Sequence, residues 1–480
     1  MSNTQDTLLT VDPKTGKLLP NAAQEYSISS DGKTIRFVLR DNLYFSNGDK
    51  ILANDYAFGI KRHLDPKNKS AHKNIVSYIQ GGVEILEGMF YHPQKVGVKA
   101  LIEKNHSVLE ITLSQAYPKI LYFFAHPASM PIHQKSFDEN PAKYFVPGHF
   151  HSSGAFIVSQ KNKSLFVFAK NPHYRDQKNI ALTQVQLSLF DQPKAAQRAF
   201  MKGKIDQWGS RHQVITDELI QDLKGSDVLF FEPDMRTLFI RFHTRKVPTG
   251  EFKIRQALSM AINREEIQKL ALSQQERTAF SITPDQQHLY DPPHTYYYDL
   301  DGAKSILTQL GFCMGQDDRK QCLDLPRLEI LFPKTLIAQK VVFLLQEQWK
   351  KLGFTNIDVK GDSPEVFVEN INHGLFSIAI DEIAVDSFHF FDLLHAFEST
   401  QSTSIGVQSN AYDQLLFTAS HALRWEDAVL EYRQAESFLI REASVVPLVQ
   451  TTTPFVKATY VKGFEPNLWD LHPWKDIVIQ

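Results

Sequence analysis

The chain has 480 residues, with 52 Lys+Arg against 54 Asp+Glu for a formal net charge of −2, and 42% hydrophobic and 22% charged residues. These proportions exclude large-scale disorder, and near neutrality excludes a general nucleic-acid binder, which needs a basic excess against phosphate. The length suits roughly three domains, or two lobes with an elaboration.

In chain order, Ile35, Phe37 and Leu39 alternate with Arg36 and Arg40, which predicts a half-buried strand. Ala53, Tyr56, Ala57, Ile60 and Leu64 share one helical face, with Asn54 and Asp55 in its first turn. Leu109, Ile111 and Leu113 repeat the strand pattern, and 164–170 and 185–190 are further strands. Leu238, Ile240 and Phe242 alternate again. Asn263 with Glu266 reads as a capping box that restarts a helix. A strand is expected at 327–332, then a helix with Ile337, Val341, Leu344, Leu345, Gln348 and Leu352 on one face, stopped by Gly353. Ser363–Pro364 fits an N-cap with proline at the first helical position. Helices and strands alternate without a strict βα repeat, so an α/β assembly with mixed sheets is expected. No fixed-period repeat or long Gly/Ser linker occurs, and domain crossings are expected near 242–246 and 444–450.

No stretch reaches the ~18 to 20 apolar residues of a membrane helix. The start MSNTQDTLL has neither the basic nor the apolar segment of a secretory leader, which taken literally says cytoplasm. Cys313 and Cys322 bracket a polar segment; either they close it as a loop-base disulfide, or they are two unpaired surface thiols. Catalytic patterns are absent: no phosphate loop, no His-Glu-x-x-His, no Gly-x-Ser-x-Gly. His149 and His151 would share one face of a strand and so could meet a metal, but no third ligand is identifiable and PGHFHSSG is rich in turn residues. No cofactor is expected.

FSNGDKILANDYAFGIKRHLDP (45–66) resembles the solute-binding proteins of peptide ABC importers, the family of oligopeptide- and dipeptide-binding proteins. LFIRFHTRKVPTGEFKIRQALSMAINREEI (238–267) is similar to that family's crossing strand and helix pair. NPHYRD (171–176), GKIDQW (203–208), YDLDGAKSILTQLGF (298–312), LLQEQWKKLGF (344–354), NAYDQLL (410–416) and IREASVVPLVQ (440–450) follow in family order. The resemblance spans roughly residues 8 to 480.

The resemblance implies a two-lobed periplasmic-binding-protein fold with an extra subdomain on lobe one. Carried over, residues 1–144 hold the extra subdomain with a remnant of lobe one, 145–242 lobe one, 243–445 lobe two, and 446–480 the return to lobe one. It implies a periplasmic monomer that encloses a peptide between its lobes and delivers it to ABC permease subunits driven by cytoplasmic ATPases. Muropeptides are among the ligands considered. An extended peptide offers the same backbone donors and acceptors whatever its side chains, so strand edges and watery pockets can hold many sequences.

Asp386 matches the family aspartate that meets the peptide ammonium; alternatively it caps a helix or turn. Phe388 and His389 either line the cleft or pack the lobe. Ser153 and Gly154 match the family's cleft loop. Trp208 either stacks on ligand or is structural. Ile383 stands near the family tryptophan's place, and no basic residue occurs near Ile380 to meet a ligand carboxylate. Arg241 and His243 either replace that basic contact or face solvent. Alternatives are a nickel, haem or metallophore binder of the same fold, a peptidase, and a receptor that signals without transport. LLTVDPKTGKLLP (8–20) resembles a point inside a mature family member, so the leader, the first strand of lobe one and an early cleft segment are expected to be missing, either because the sequence is truncated or because this is a natural variant lacking part of its pocket.

Overall fold

In the computed structural model, which describes residues 3–89, 95–146, 149–210, 215–271, 276–284, 296–313, 322–383, 391–399 and 409–480, period-two patterning builds the first sheet. Ile35, Phe37 and Leu39 all point to the buried face of strand Thr34–Leu39. That strand pairs antiparallel with His106–Thr112, setting Ile35 against Ile111 and Phe37 against Leu109. Ala23–Ile28 and Val98–Glu103 complete a four-stranded sheet. Helix Ala53–Lys61 buries Ala53, Tyr56, Ala57 and Ile60 and packs on strands Val98–Glu103 and His106–Thr112. Its start is held by the Asp55 carboxylate, which accepts the Leu52 N–H at 2.8 Å.

The chain divides into two compact units, one of Met1–Glu232, Ser420–Trp425 and Thr453–Gln480, the other of Pro233–Ala419 and Glu426–Thr452. Within the first unit, Phe156–Lys161, Leu165–Lys170 and Gln184–Ser188 form a three-stranded antiparallel sheet. Trp474 packs edge-on against Phe156 and Phe168 of that sheet at 5.7 and 4.9 Å. Gln207–Trp208 pairs with the end of strand Val445–Lys457, so residues from both ends of the sequence build this unit.

The second unit is built on parallel crossovers. Strand Leu328–Pro333, helix Leu336–Leu352 and strand Ile357–Asp362 form one βαβ step, and helix Pro364–Asn372 returns the chain to strand Ile378–Ile383. Strand Ile378–Ile383 then pairs antiparallel with Leu229–Phe242. The sheet is covered on both faces. Leu238, Ile240, Phe242, Ile330, Ile378 and Ile380 enter a core with helices Phe252–Met260, Arg264–Ala271, Leu300–Gln309 and Leu336–Leu352. Leu331 and Ala379 pack instead on Phe367, Ile371 and Phe376. This two-sided burial explains why RLEILF is nearly continuous in apolar residues.

The helix punctuation follows the sequence with two differences. Gly353 ends helix Leu336–Leu352 at φ 115°. Asn263 Oδ1 accepts the Glu266 N–H at 3.0 Å, but the Asn263 N–H is met by Gln348 Oε1 at 3.1 Å, and Glu266 turns to the Gln348 amide. Gln348 thus supplies the second half of the expected box from another helix. Helix Pro364–Asn372 starts where expected, yet the Ser363 hydroxyl accepts no helix N–H. Cys313 and Cys322 are bridged, and Cys313 N–H donates to the Leu323 carbonyl beside the bridge, so the loop-base reading holds over the unpaired one.

Candidate functional site

Strand Leu229–Phe242 presents Leu238, Ile240 and Phe242 to the helical core, which leaves Phe239 and Arg241 on the opposite face. Arg241 is only 2% exposed, so it does not face solvent. Its Nη2 lies 2.6 Å from Asp381 Oδ2 on the neighbouring strand. The register pairs Arg241 with Ala379 and Phe239 with Asp381, so this is a diagonal cross-strand contact. Phe239 and Phe397 lie 5.6 and 5.2 Å from the guanidinium. Nε and Nη1 are buried with no hydrogen-bond partner. Burial lowers the arginine pKa, and Asp381 opposes that shift without cancelling it. A buried guanidinium with two unmet nitrogens can accept an anionic group at lower desolvation cost than a fully paired one.

A second pair continues the charge along the same two strands. Arg236 Nη1 meets Glu382 Oε1 at 2.9 Å, and its Nη2 meets the buried Asp234 at 2.6 Å. The sequence reading named Arg241 and missed its acidic partner, although opposite charges at same-face positions of two strands were a usable signal. His243, at the end of the strand, is half-buried and packs edge-on to Phe376 at 5.5 Å. Burial, with Lys246 and Arg245 nearby, lowers its pKa.

Ser153 and Gly154 serve the first unit's own packing. The Ser153 hydroxyl accepts the Asp6 N–H at 2.9 Å and donates to Gln5 Oε1 at 3.0 Å. Gly154 N–H donates to the Thr4 carbonyl, and a Cβ on Gly154 would lie 2.5 Å from the Gln5 nitrogen. Trp208 is buried among Ala196, Ile215, Leu219 and Val456. Asp386, Phe388 and His389 lie outside the described residues.

His151 Nε2 lies 3.0 Å from the Ser136 hydroxyl, which also meets His133. Neither His149 nor His151 belongs to a group of three or more potential metal ligands among the described residues. No helix among those residues is long and apolar enough to cross a membrane.

Known proteins share this architecture. The unliganded open form of the murein tripeptide-binding protein MppA superposes with a TM-score of 0.86 at 23% identity, covering 100% of this chain and 92% of that one. The fold is that of the two-lobed periplasmic binding proteins, with α/β content and several sheets. Residues 17–404 match the model of the bacterial extracellular solute-binding proteins, family 5 (middle region), and the chain belongs to that family. The periplasmic murein peptide-binding protein MppA of Escherichia coli is 26% identical over 463 residues, covering 94% of this chain and 83% of MppA. The dipeptide-binding protein DppE of Bacillus subtilis is 25% identical over 455 residues, covering 92% of this chain and 81% of DppE. These relatives are binding proteins.

Proposed function

We propose that the chain is the extracytoplasmic substrate-binding component of an ABC importer, capturing oligopeptides, muropeptides among them, and delivering them to a permease. It performs no chemistry on its ligand. The observation that carries this reading is membership of the family, together with relatives named for murein peptides and dipeptides. The Cys313–Cys322 bridge supports an oxidising compartment such as the periplasm. We take the protein as a monomer without affinity for nucleic acid, in keeping with its net charge of −2.

The layout expected from the resemblance is retained as part of the proposal: an extra subdomain with a remnant of lobe one in 1–144, lobe one in 145–242, lobe two in 243–445 and a return in 446–480. Support comes from the division into two units, whose boundaries at Glu232/Pro233 and Thr452/Thr453 fall before and after the expected crossings at 242–246 and 444–450, while Ser420–Trp425, inside the expected lobe two, belongs to the first unit.

In the proposed site Asp386 receives the ligand ammonium, and Arg241 is the basic group that receives a ligand carboxylate through its unmet nitrogens. Phe388, His389, His243, Ser153, Gly154 and Trp208 complete the set proposed near the ligand; contact with it is proposed for Ser153, Gly154 and Trp208 only where their own packing leaves a face free. The test is calorimetry with a defined peptide that first passes a thermal-shift screen. Asp386→Ala should abolish binding of the free-amine peptide while leaving the melting curve unchanged. Wild-type affinity in that variant would remove Asp386 from the site. Protein-dependent cleavage of the peptide would overturn the receptor reading itself.

A further inference from the structure

Among the described residues, Glu232, Asp470 and His472 bring potential metal-donor atoms within 4.8 Å of one another. All three belong to the first unit. Glu232 is 1% exposed, and the His472 side chain is 8% exposed. The loop that delivers Asp470 and His472 is organised by Asn467, whose Oδ1 accepts the N–H groups of Trp469 and Leu471, both at 3.1 Å. The Asn467 N–H in turn donates to Glu232 Oε1 at 3.0 Å. Phe464 stacks on the imidazole at 3.7 Å and 8°, which fixes the ring plane.

The direction of the ring is the informative feature. His472 Nε2 lies 3.0 Å from Glu232 Oε1 and 3.4 Å from Asp470 Oδ1. Despite those distances, Nε2 has no aligned hydrogen-bond partner. An imidazole that hydrogen-bonds points its N–H at the acceptor. One that coordinates points its lone pair at an ion, and the neighbouring oxygens stand aside from that axis. A cation about 2.1 Å from each donor would hold those donors roughly 3.0 to 3.4 Å apart, for angles between a right angle and tetrahedral.

We propose that Glu232, Asp470 and His472 form a binding site for a divalent transition cation of the zinc type. The nitrogen donor selects against magnesium and calcium, which prefer all-oxygen shells. Three protein donors leave one position for water. Glu232 is the last residue before the chain passes into the second unit, so the cation would pin that strand to the 464–472 loop. The site is independent of the ligand site proposed above.

The test is calorimetric titration of the tag-free, chelator-stripped protein with zinc chloride. One site is expected, with no response to magnesium chloride. His472→Gln and Glu232→Gln should weaken zinc binding by at least about tenfold. The sequence has 18 histidines, so zinc binding that persists unchanged in His472→Gln would place the ion elsewhere and overturn the proposal. Absence of a zinc site in the wild type would overturn it as well. Should the first two variants fail to fold by circular dichroism, Asp470→Asn decides: weakened zinc binding supports the site, and unchanged binding refutes it.

Discussion

Removing Asp381 while keeping Arg241 would strand a guanidinium that is 2% exposed. Asp381→Ala should cost about 3–5 kcal/mol of stability, read as a lower urea midpoint. The double variant Arg241→Met/Asp381→Leu should recover most of that loss, because an apolar pair of similar size avoids both desolvation penalties. Equal losses in the single and double variants would show that the pair is not coupled. The same double variant should bind a peptide no better when its C-terminus is free than when it is amidated, as the proposed role of Arg241 requires. At Gly154, alanine would bring a Cβ to 2.5 Å from the Gln5 nitrogen and 2.6 Å from the Thr4 carbonyl carbon. Backbone must move, and Gly154→Ala should destabilise by about 1–3 kcal/mol; a wild-type melting temperature would show that the Asn3–Thr7 segment gives way freely. These contacts mark the limit of reading at this scale. Gly154 and Gln5, or Glu232 and His472, are far apart in sequence and share no pattern that would announce their meeting.

Three histidines meet beside helix Ala53–Lys61 in a cluster assembled from separate elements. His72 lies 5.5 Å from His63 and 4.8 Å from His126, ring to ring, with Phe123 packed against them. Burial lowers all three pKa values; His126, also facing His72 and His63, is brought down to about 4. In the unfolded chain such groups titrate near 6.5. Above that pH both states are neutral, and the cluster's contribution is intact. As pH falls from about 6.5 toward about 4, the unfolded chain binds protons that the fold refuses, so stability declines. His126→Asn keeps an acceptor for the Ala128 N–H, now 3.1 Å from His126 Nδ1, and removes the titration. Its urea midpoint should therefore fall less between pH 7 and pH 5 than that of the wild type; parallel declines would sink the idea. At the element scale the sequence was readable. The strands around Phe37, Leu109 and Leu238 and the helix ending at Gly353 stand where periodicity put them, because one buried face imposes its period on the residues. Reading failed where a partner came from outside the window, as when Gln348 took over the cap at Asn263.

At the scale of the molecule, the Cys313–Cys322 bridge closes a short loop between helix Leu300–Gln309 and strand Leu328–Pro333. Its loss in a Cys313→Ser/Cys322→Ser variant should cost about 2–3 kcal/mol. A thiol assay under denaturing, non-reducing conditions should find no free cysteine, and two titratable thiols would contradict the bridge. Bound peptide should raise stability by mass action, by about 2.7 kcal/mol at a hundredfold excess over Kd. A screened peptide pool that leaves the melting temperature unmoved at millimolar concentration would count against the proposed ligand class. Collinear motifs made the fold and family readable from sequence, since each records a local turn or helix that every member must form. The proposed site was less readable, because pairs such as Arg241 and Asp381 are brought together only by the sheet register.

The first unit is completed by residues 453–480, more than two hundred positions after its main segment ends at Glu232. A ribosome delivering this chain has therefore finished the whole second unit before it releases the strand that pairs with Gln207–Trp208 and the tryptophan that seals Phe156 and Phe168. The first unit must wait, collapsed but unfinished, for about half the length of translation. Such long-range closure is slow, and it leaves apolar surface open to chaperones during synthesis. Nascent chains halted near residue 440 should accordingly be cut by protease within 3–232 at sites that the finished protein resists.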